Sequence, residues 1–194
     1  FGFNAGSALA SDGAAGMAMT VTHLSAAMAS LTWMALEWWQ HGKPTLIGTV
    51  TGTIAGLATI TPASGYVGPM GGLIIGLAAG AVCYFGVNLI KSKLEIDDSL
   101  DVFAVHGVGG MLGILMVSFL ALESFQGLGL AADFTVAKHL GVQATGIVSV
   151  AVWSALATYI LMKVTQAVVG MRATDEQLVD GMDISEHGER GYEI

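Results

Sequence analysis

The sequence predicts an all-α, polytopic membrane helical bundle. Five long apolar segments run through its 194 residues, and a membrane helix needs about 20 mostly apolar residues. Only 11% of the residues are charged, against about a quarter in a soluble domain. Glycine is abundant at 27 residues while proline is rare at 3, a pairing that suggests closely packed helices rather than a flexible linker.

The elements follow in order. Phe1 to about Ala10 is too short to span and reads as the end of a helix, broken at Ser11-Asp12-Gly13. Ala14 to Trp39 is a full span, closed by His41-Gly42-Lys43-Pro44. Leu46 to Ile60 is shorter and is followed by Thr61-Pro62. Val67 to Ile90, Asp101 to Leu122 and Gln143 to about Val169 complete the five spans. Residues 1–171 are therefore expected to form the bundle and residues 172–194 an acidic tail. Gly48, Gly52 and Gly56, then Gly72, Gly76 and Gly80, then Gly109 and Gly113 recur at four-residue spacing. Such rows let helix backbones approach closely. Phe1-Gly2-Phe3 has no basic run or cleavage site, so it is not read as a signal peptide. Residue 1 is read as an interior position of a longer protein.

Lys and Arg alone set the expected orientation. With five alternating spans, Lys43, Lys91, Lys93, Lys163, Arg172 and Arg190 fall on one side and only Lys138 on the other. The tail is thus expected to be cytoplasmic. It holds Asp175, Glu176, Asp180, Asp183, Glu186, Glu189 and Glu193, seven of the chain's 15 acids. That acidity argues against a nucleic-acid partner, whose phosphates call for Lys and Arg. No P-loop, dinucleotide fingerprint, zinc spacing or nucleophile elbow occurs, so neither a cofactor nor a metal nor an enzyme activity is expected. Cys83, the one cysteine, is read as a small buried hydrophobe.

His106 lies inside a span, and an ionisable group there marks a substrate, ion or proton path by default. The bland alternative is a buried histidine bonded to a backbone carbonyl. His41 and His139 are expected to be solvated near helix ends, Asp101 to be a helix N-cap, and Trp33, Trp38, Trp39 and Trp153 to be packing or interface anchors.

Three stretches resemble the ammonium transporter family, the Amt/Mep/Rh superfamily. Phe1-Gly2-Phe3-Asn4-Ala5-Gly6-Ser7 is similar to the end of its sixth helix. Asp101-Val102-Phe103-Ala104-Val105-His106-Gly107-Val108-Gly109-Gly110 is similar to its tenth-helix motif, in a form resembling bacterial and archaeal members. The tail Gly181-Met182-Asp183-Ile184-Ser185-Glu186-His187-Gly188-Glu189 is the third. Leu31-Thr32-Trp33 and the run from Thr61 to Gly68 fit in order between them, so the resemblance covers nearly the whole chain.

The resemblance implies the second inverted repeat of an eleven-helix transporter that forms homotrimers with a pore through each subunit. It implies that His106 is one of two pore histidines, its partner lying in the N-terminal half of the same protein. Phe3 would gate the pore, Val102 would line it with His106, and Ser7 would help bind the cation outside. Phe3 could instead be ordinary packing, and Ser7 could simply bond back within its helix. His23 in Val21-Thr22-His23-Leu24-Ser25 superficially resembles the first pore histidine, but it follows the Phe3-to-Ser7 motif where the family's would precede it, so it is rejected as the partner.

The physical task is to select ammonium over potassium. An aromatic vestibule attracts either cation. A hydroxyl acceptor favours the donor, and an apolar pore penalises a bare ion but not ammonia. Whether net ammonium crosses, ammonia alone, or ammonia with a separately moved proton stays open at this stage. So do two other readings: an ammonium sensor working with a signalling partner, and a non-functional structural fragment. The resemblance also implies a plasma-membrane location. It makes Gly181, Asp183, His187, Gly188 and Glu189 a regulatory segment and a PII-type signalling protein a partner at the cytoplasmic face; the segment is expected to pack on the loop Lys91 to Asp98, because its glycines permit tight turns and its acids can meet Lys91 and Lys93.

Overall fold

The computed structural model describes residues 1–192; Glu193 of the tail acids, and Ile194, lie outside the described residues. Among the described residues every regular element is helical. They are α1 (Gly2–Gly6), α2 (Gly13–His41), α3 (Leu46–Ile60), α4 (Pro69–Asn88), α5 (Gly109–Leu120), α6 (Val136–Val168) and α7 (Asp175–Asp180). Two of them carry a π-helical turn: α4 runs on through Leu89–Lys93, and Phe103–Val108 leads into α5. A single turn at Glu123–Phe125 is 3-10. Four helices are long and apolar enough to cross a membrane, and Leu46–Ile60 is a shorter apolar one.

The chain divides within α6 into two compact units, Phe1–Ile147 and Val148–Ile194. In the first, α2 packs along both α3 and α4, and α3 also packs on α5. Sequence spacing explains which faces meet. The buried residues of α2 are Ala18, Val21, Thr22, Ser25, Ala26, Ala29 and Trp33, one stripe at three- and four-residue steps. The glycine rows of α3 and α4 face that stripe. A Cβ on Gly56 or on Gly76 would stand 2.5 Å from the same atom, the Ser25 carbonyl oxygen. The Ser25 hydroxyl donates to the Gly56 carbonyl at 2.9 Å. Lipid tails are as apolar as these side chains, so close contact and interhelical hydrogen bonds hold the helices, each such bond contributing about 0.6 kcal/mol.

The ends are capped by recognisable residues. The Asp12 carboxylate accepts from the amides of Ala14 and Ala15, at 3.0 and 3.1 Å, and starts α2. Gly42, with φ +76°, ends it in the left-handed conformation that suits glycine. The Thr45 hydroxyl caps α3 at the amide of Gly48, 2.9 Å away. Glu37, reaching across from α2, accepts from the Thr45 amide at 2.7 Å. Pro69 occupies the first turn of α4, where its missing N–H has no helical partner to lose.

Three boundaries differ from the sequence expectation. The first helix ends at Gly6 rather than near Ala10, and Leu9 turns left-handed at φ +55°. The last long helix starts at Val136, seven residues before Gln143. Thr135 caps it through the Lys138 amide at 3.2 Å, a signal that hydropathy does not carry. Asp101 is not the cap of its span. It has φ +57°, and the Asp98 carboxylate accepts from the amides of Val102 and Phe103 at 2.8 and 2.9 Å instead. Asp101 pairs with Lys91 at 2.8 Å.

The second unit comprises the rest of α6, then α7 and the tail turn. Thr174 and Gln177 form a reciprocal capping box at the start of α7. Gly181, at φ +89°, leads into the π-helical turn Asp183–His187, and the Gln177 side chain donates to the Glu186 carboxylate.

Candidate functional site

Two groups of candidate residues lie on the first unit, one at the start of α5 and the other on α1. Val102 and His106 belong to the π-helical start of α5. The preceding loop is pinned by the Asp98 cap and the Lys91–Asp101 ion pair. Within this turn Ala104 and Val105 are buried while Val102, Phe103 and His106 are exposed. Among the described residues the His106 ring is exposed and makes no hydrogen bond. The Phe103 ring lies against Gly107, 3.1 Å from where a Cβ would be.

Phe3 and Ser7 sit on α1. Asn4, between them, is buried and donates to the Thr22 hydroxyl at 3.1 Å and to the Thr61 hydroxyl at 3.5 Å, tying α1 to α2 and to the end of α3. That anchor leaves Phe3 67% exposed. The Ser7 hydroxyl donates back to the Phe3 carbonyl at 2.6 Å, the bland arrangement, yet its oxygen still has a lone pair turned to the surroundings. Phe3, Asn4 and Ser7 share an open crevice of about 370 Å³ with Thr61, Ser64 and Tyr66. Neither His106 nor Val102 lines it. His23 is exposed, and its ring lies 5.6 Å from that of Phe1, tilted by 41°.

The tail residues belong to the second unit. Gly181 and Gly188 both take positive φ, +89° and +65°. The Glu189 amide donates to the Asp183 carbonyl at 3.0 Å, so Asp183, His187, Gly188 and Glu189 form one closed turn, with His187 exposed. Lys91, expected to meet the tail acids, has Asp101 as its partner.

The residues that position the candidates were not singled out from sequence. Asn4 and Asp98 are the two main ones. Each carried a signal: an amide inside an apolar segment must find a partner, and an acid four residues before Val102 is within reach of a helix start. His139 was misread as solvated. Its Nδ1 lies 2.8 Å from the Oγ of fully buried Ser118, and it is only half-exposed.

Comparison with known proteins gives one consistent result. The sequence profile of the Ammonium Transporter Family matches residues 1–192. An ammonium transporter from Aquifex aeolicus is 40% identical over the whole chain, which covers 45% of that relative. Ammonium transporter Amt1 from Archaeoglobus fulgidus is 43% identical over 99% of the chain and 48% of its own length. Among solved structures, a protein named Sensor Amt Protein superposes with a TM-score of 0.87 at 30% identity, over 96% of this chain and 45% of that one. Mep2 from Candida albicans superposes with a TM-score of 0.79 at 35% identity, over 91% and 40%. The chain thus spans about half the length of the curated relatives it matches. With several apolar helices of membrane length, it is a multi-pass membrane protein. Helix order, profile and superposition agree: the chain belongs to the ammonium transporter family.

Proposed function

We propose that this chain is the C-terminal half of a transporter that conducts ammonium or ammonia through an apolar pore lined by His106, Val102 and Phe3, with Ser7 receiving the cation outside. Relatives across its whole length are named as ammonium transporters, which move a solute rather than convert it. The observation that carries the pore reading is His106 itself. Among the described residues this ionisable ring stands exposed and makes no hydrogen bond, on a helix of membrane length. The face it occupies is the one an N-terminal half would complete, and the relatives are about twice as long.

In this reading Ser7 discriminates for a hydrogen-bond donor, Phe3 closes the apolar path, and the imidazole of His106 carries hydrogen bonds along it. Residues 1–171 form the bundle and residues 172–194 a cytoplasmic tail at the plasma membrane. The assembly is a homotrimer, and the tail segment Gly181 to Glu189 docks on the loop 91–98 and meets a PII-type signalling protein. A trimeric partner would match a trimer by symmetry.

Uptake of labelled methylammonium into proteoliposomes tests the reading. The intact protein should transport, and the isolated 194-residue chain should not. In the intact protein His106→Ala should change flux or ammonium-over-potassium discrimination far more than folding, with His23→Ala as the mild control. Unchanged flux and discrimination in His106→Ala would remove the pore role. A second reading, a sensor, draws on the likeness to a protein named Sensor Amt Protein. Saturable binding without flux in the intact protein would favour it.

A further inference from the structure

The helix that carries His106 is wound differently before and after Gly109, and the change of winding decides where the imidazole points. In an unbroken α-helix, residues 106, 109 and 113 share one face, because they stand three and seven apart. Gly109 and Gly113 are both buried against the end of α3, and Gly109 also meets Cys83 of α4. Regular winding would therefore turn His106 into that same contact. The π-helical turn over Phe103–Val108 avoids it: Ala104 and Val105 go inward and His106 stays exposed. Turns of this kind recur at functional sites.

Three side-chain positions hold the transition. The Gly109 amide donates to the His106 carbonyl. The Val105 carbonyl accepts instead from the Cys83 thiol of α4, with Sγ 3.9 Å away. A Cβ on Gly109 would stand 2.7 Å from the Thr59 Oγ1 and 3.2 Å from the Cys83 Sγ, so both side chains press on the backbone just where the winding changes. The Thr59 hydroxyl is fully buried and stands against the Cys83 thiol, so the two side chains hold one another beside Gly109.

We propose that Thr59, Cys83 and Gly109 form a seat that fixes the π-helical turn and so sets the bearing of His106, making Thr59 and Cys83 positioning residues for selectivity. This rests on the pore role of His106 proposed above. The test uses the intact protein in proteoliposomes and reads ammonium-over-potassium discrimination beside the yield of folded protein. Gly109→Ala should lower discrimination about tenfold, the scale of one misplaced contact. Adding Thr59→Ala, which removes the oxygen the new Cβ meets and lets the new methyl take its place in the seat, should restore it in part. Cys83→Ala, a smaller change that covers the case of Gly109→Ala failing to fold, should lower discrimination at normal yield. Discrimination that changes in His106→Ala but not in Cys83→Ala or Gly109→Ala overturns the seat, as does a Gly109→Ala defect that Thr59→Ala leaves uncorrected. Unchanged discrimination in His106→Ala overturns the pore reading and the seat with it.

Discussion

The imidazole Nδ1 of His139, in the first turn of α6, lies 2.8 Å from the hydroxyl of Ser118 on α5. Ser118 is fully buried, so this bond is its tie to the start of α6. His139→Ala should leave a buried hydroxyl without its partner, at a cost of about 1–3 kcal/mol. Ser118→Ala should cost less, since the half-exposed ring keeps Gln143 within 3.4 Å. The double variant should lie closer to wild type than the sum of the two, because the sites share one bond. Thermal unfolding of the intact protein in detergent reads all three; strictly additive effects would dissolve the pairing.

At the start of the His106 helix, Asp98 and Asp101 should behave differently. Asp98 caps the amides of Val102 and Phe103, with that of Ala104 at 3.4 Å, so Asp98→Ala should cost about 0.5–2 kcal/mol. Asp101→Asn should cost at most about 1 kcal/mol, because its partner Lys91 is partly solvated and Asn tolerates a positive φ. Equal losses from both substitutions, measured as shifts in melting temperature, would contradict the assignment of the cap.

Glycines in helices should separate into two classes. Gly56→Ala would drive a methyl to 2.5 Å from the Ser25 carbonyl oxygen and stretch the Ser25–Gly56 hydrogen bond, costing about 1–3 kcal/mol. Gly146, on α6, has nothing within 4 Å of a new Cβ, so Gly146→Ala should be neutral or slightly stabilising. Folded yield in membranes and melting temperature compare them directly, and a harmful Gly146→Ala would mean that another surface covers it.

In the tail, Thr174→Ala removes one half of the capping box and should loosen α7 by about 0.5–2 kcal/mol. Faster protease cleavage near Leu178 would report it. Truncation after Met171 should leave the melting profile intact, because the packed core lies in the first unit. In oriented vesicles the tail should be cut from the cytoplasmic side only; cleavage from outside would reverse the topology.

Much of the fold was legible because membrane helices announce themselves by apolar length. The ranges expected for α2, α3 and α4 match the structure to within about two residues, which is the ordinary spread of helix ends. The start of α6 was missed because Thr135 lies before the apolar run, in a stretch that hydropathy treats as loop. Asp98 and Asp101 both stand within reach of the helix start, so position in the sequence did not choose between them. The choice turns on the positive φ of Asp101, which nothing in Asp97-Asp98-Ser99-Leu100-Asp101 announces. The π-helical turn at His106 was hidden for a different reason: it depends on Thr59 and Cys83, which are distant in sequence and meet Gly109 only after packing. Of the candidate site residues, His106 stands out in the sequence as an ionisable group inside an apolar span; the others rest on family resemblance, since their spacing carries no chemistry by itself.

The helix lengths carry a last consequence, for the membrane around the protein. With 33 residues at 1.5 Å each, α6 is about 50 Å long, while α3 with 15 residues is about 22 Å. A bilayer's hydrocarbon core is about 30 Å thick. α6 can therefore pass through the core with its first turn, at Lys138 and His139, outside it, while the apolar α3 is too short to reach both faces. A thicker bilayer strands the ends of α3 further and a thinner one fits it better, at fractions of a kcal/mol per Å. Bilayer thickness thereby becomes a variable that acts on this fold without touching any of its binding residues.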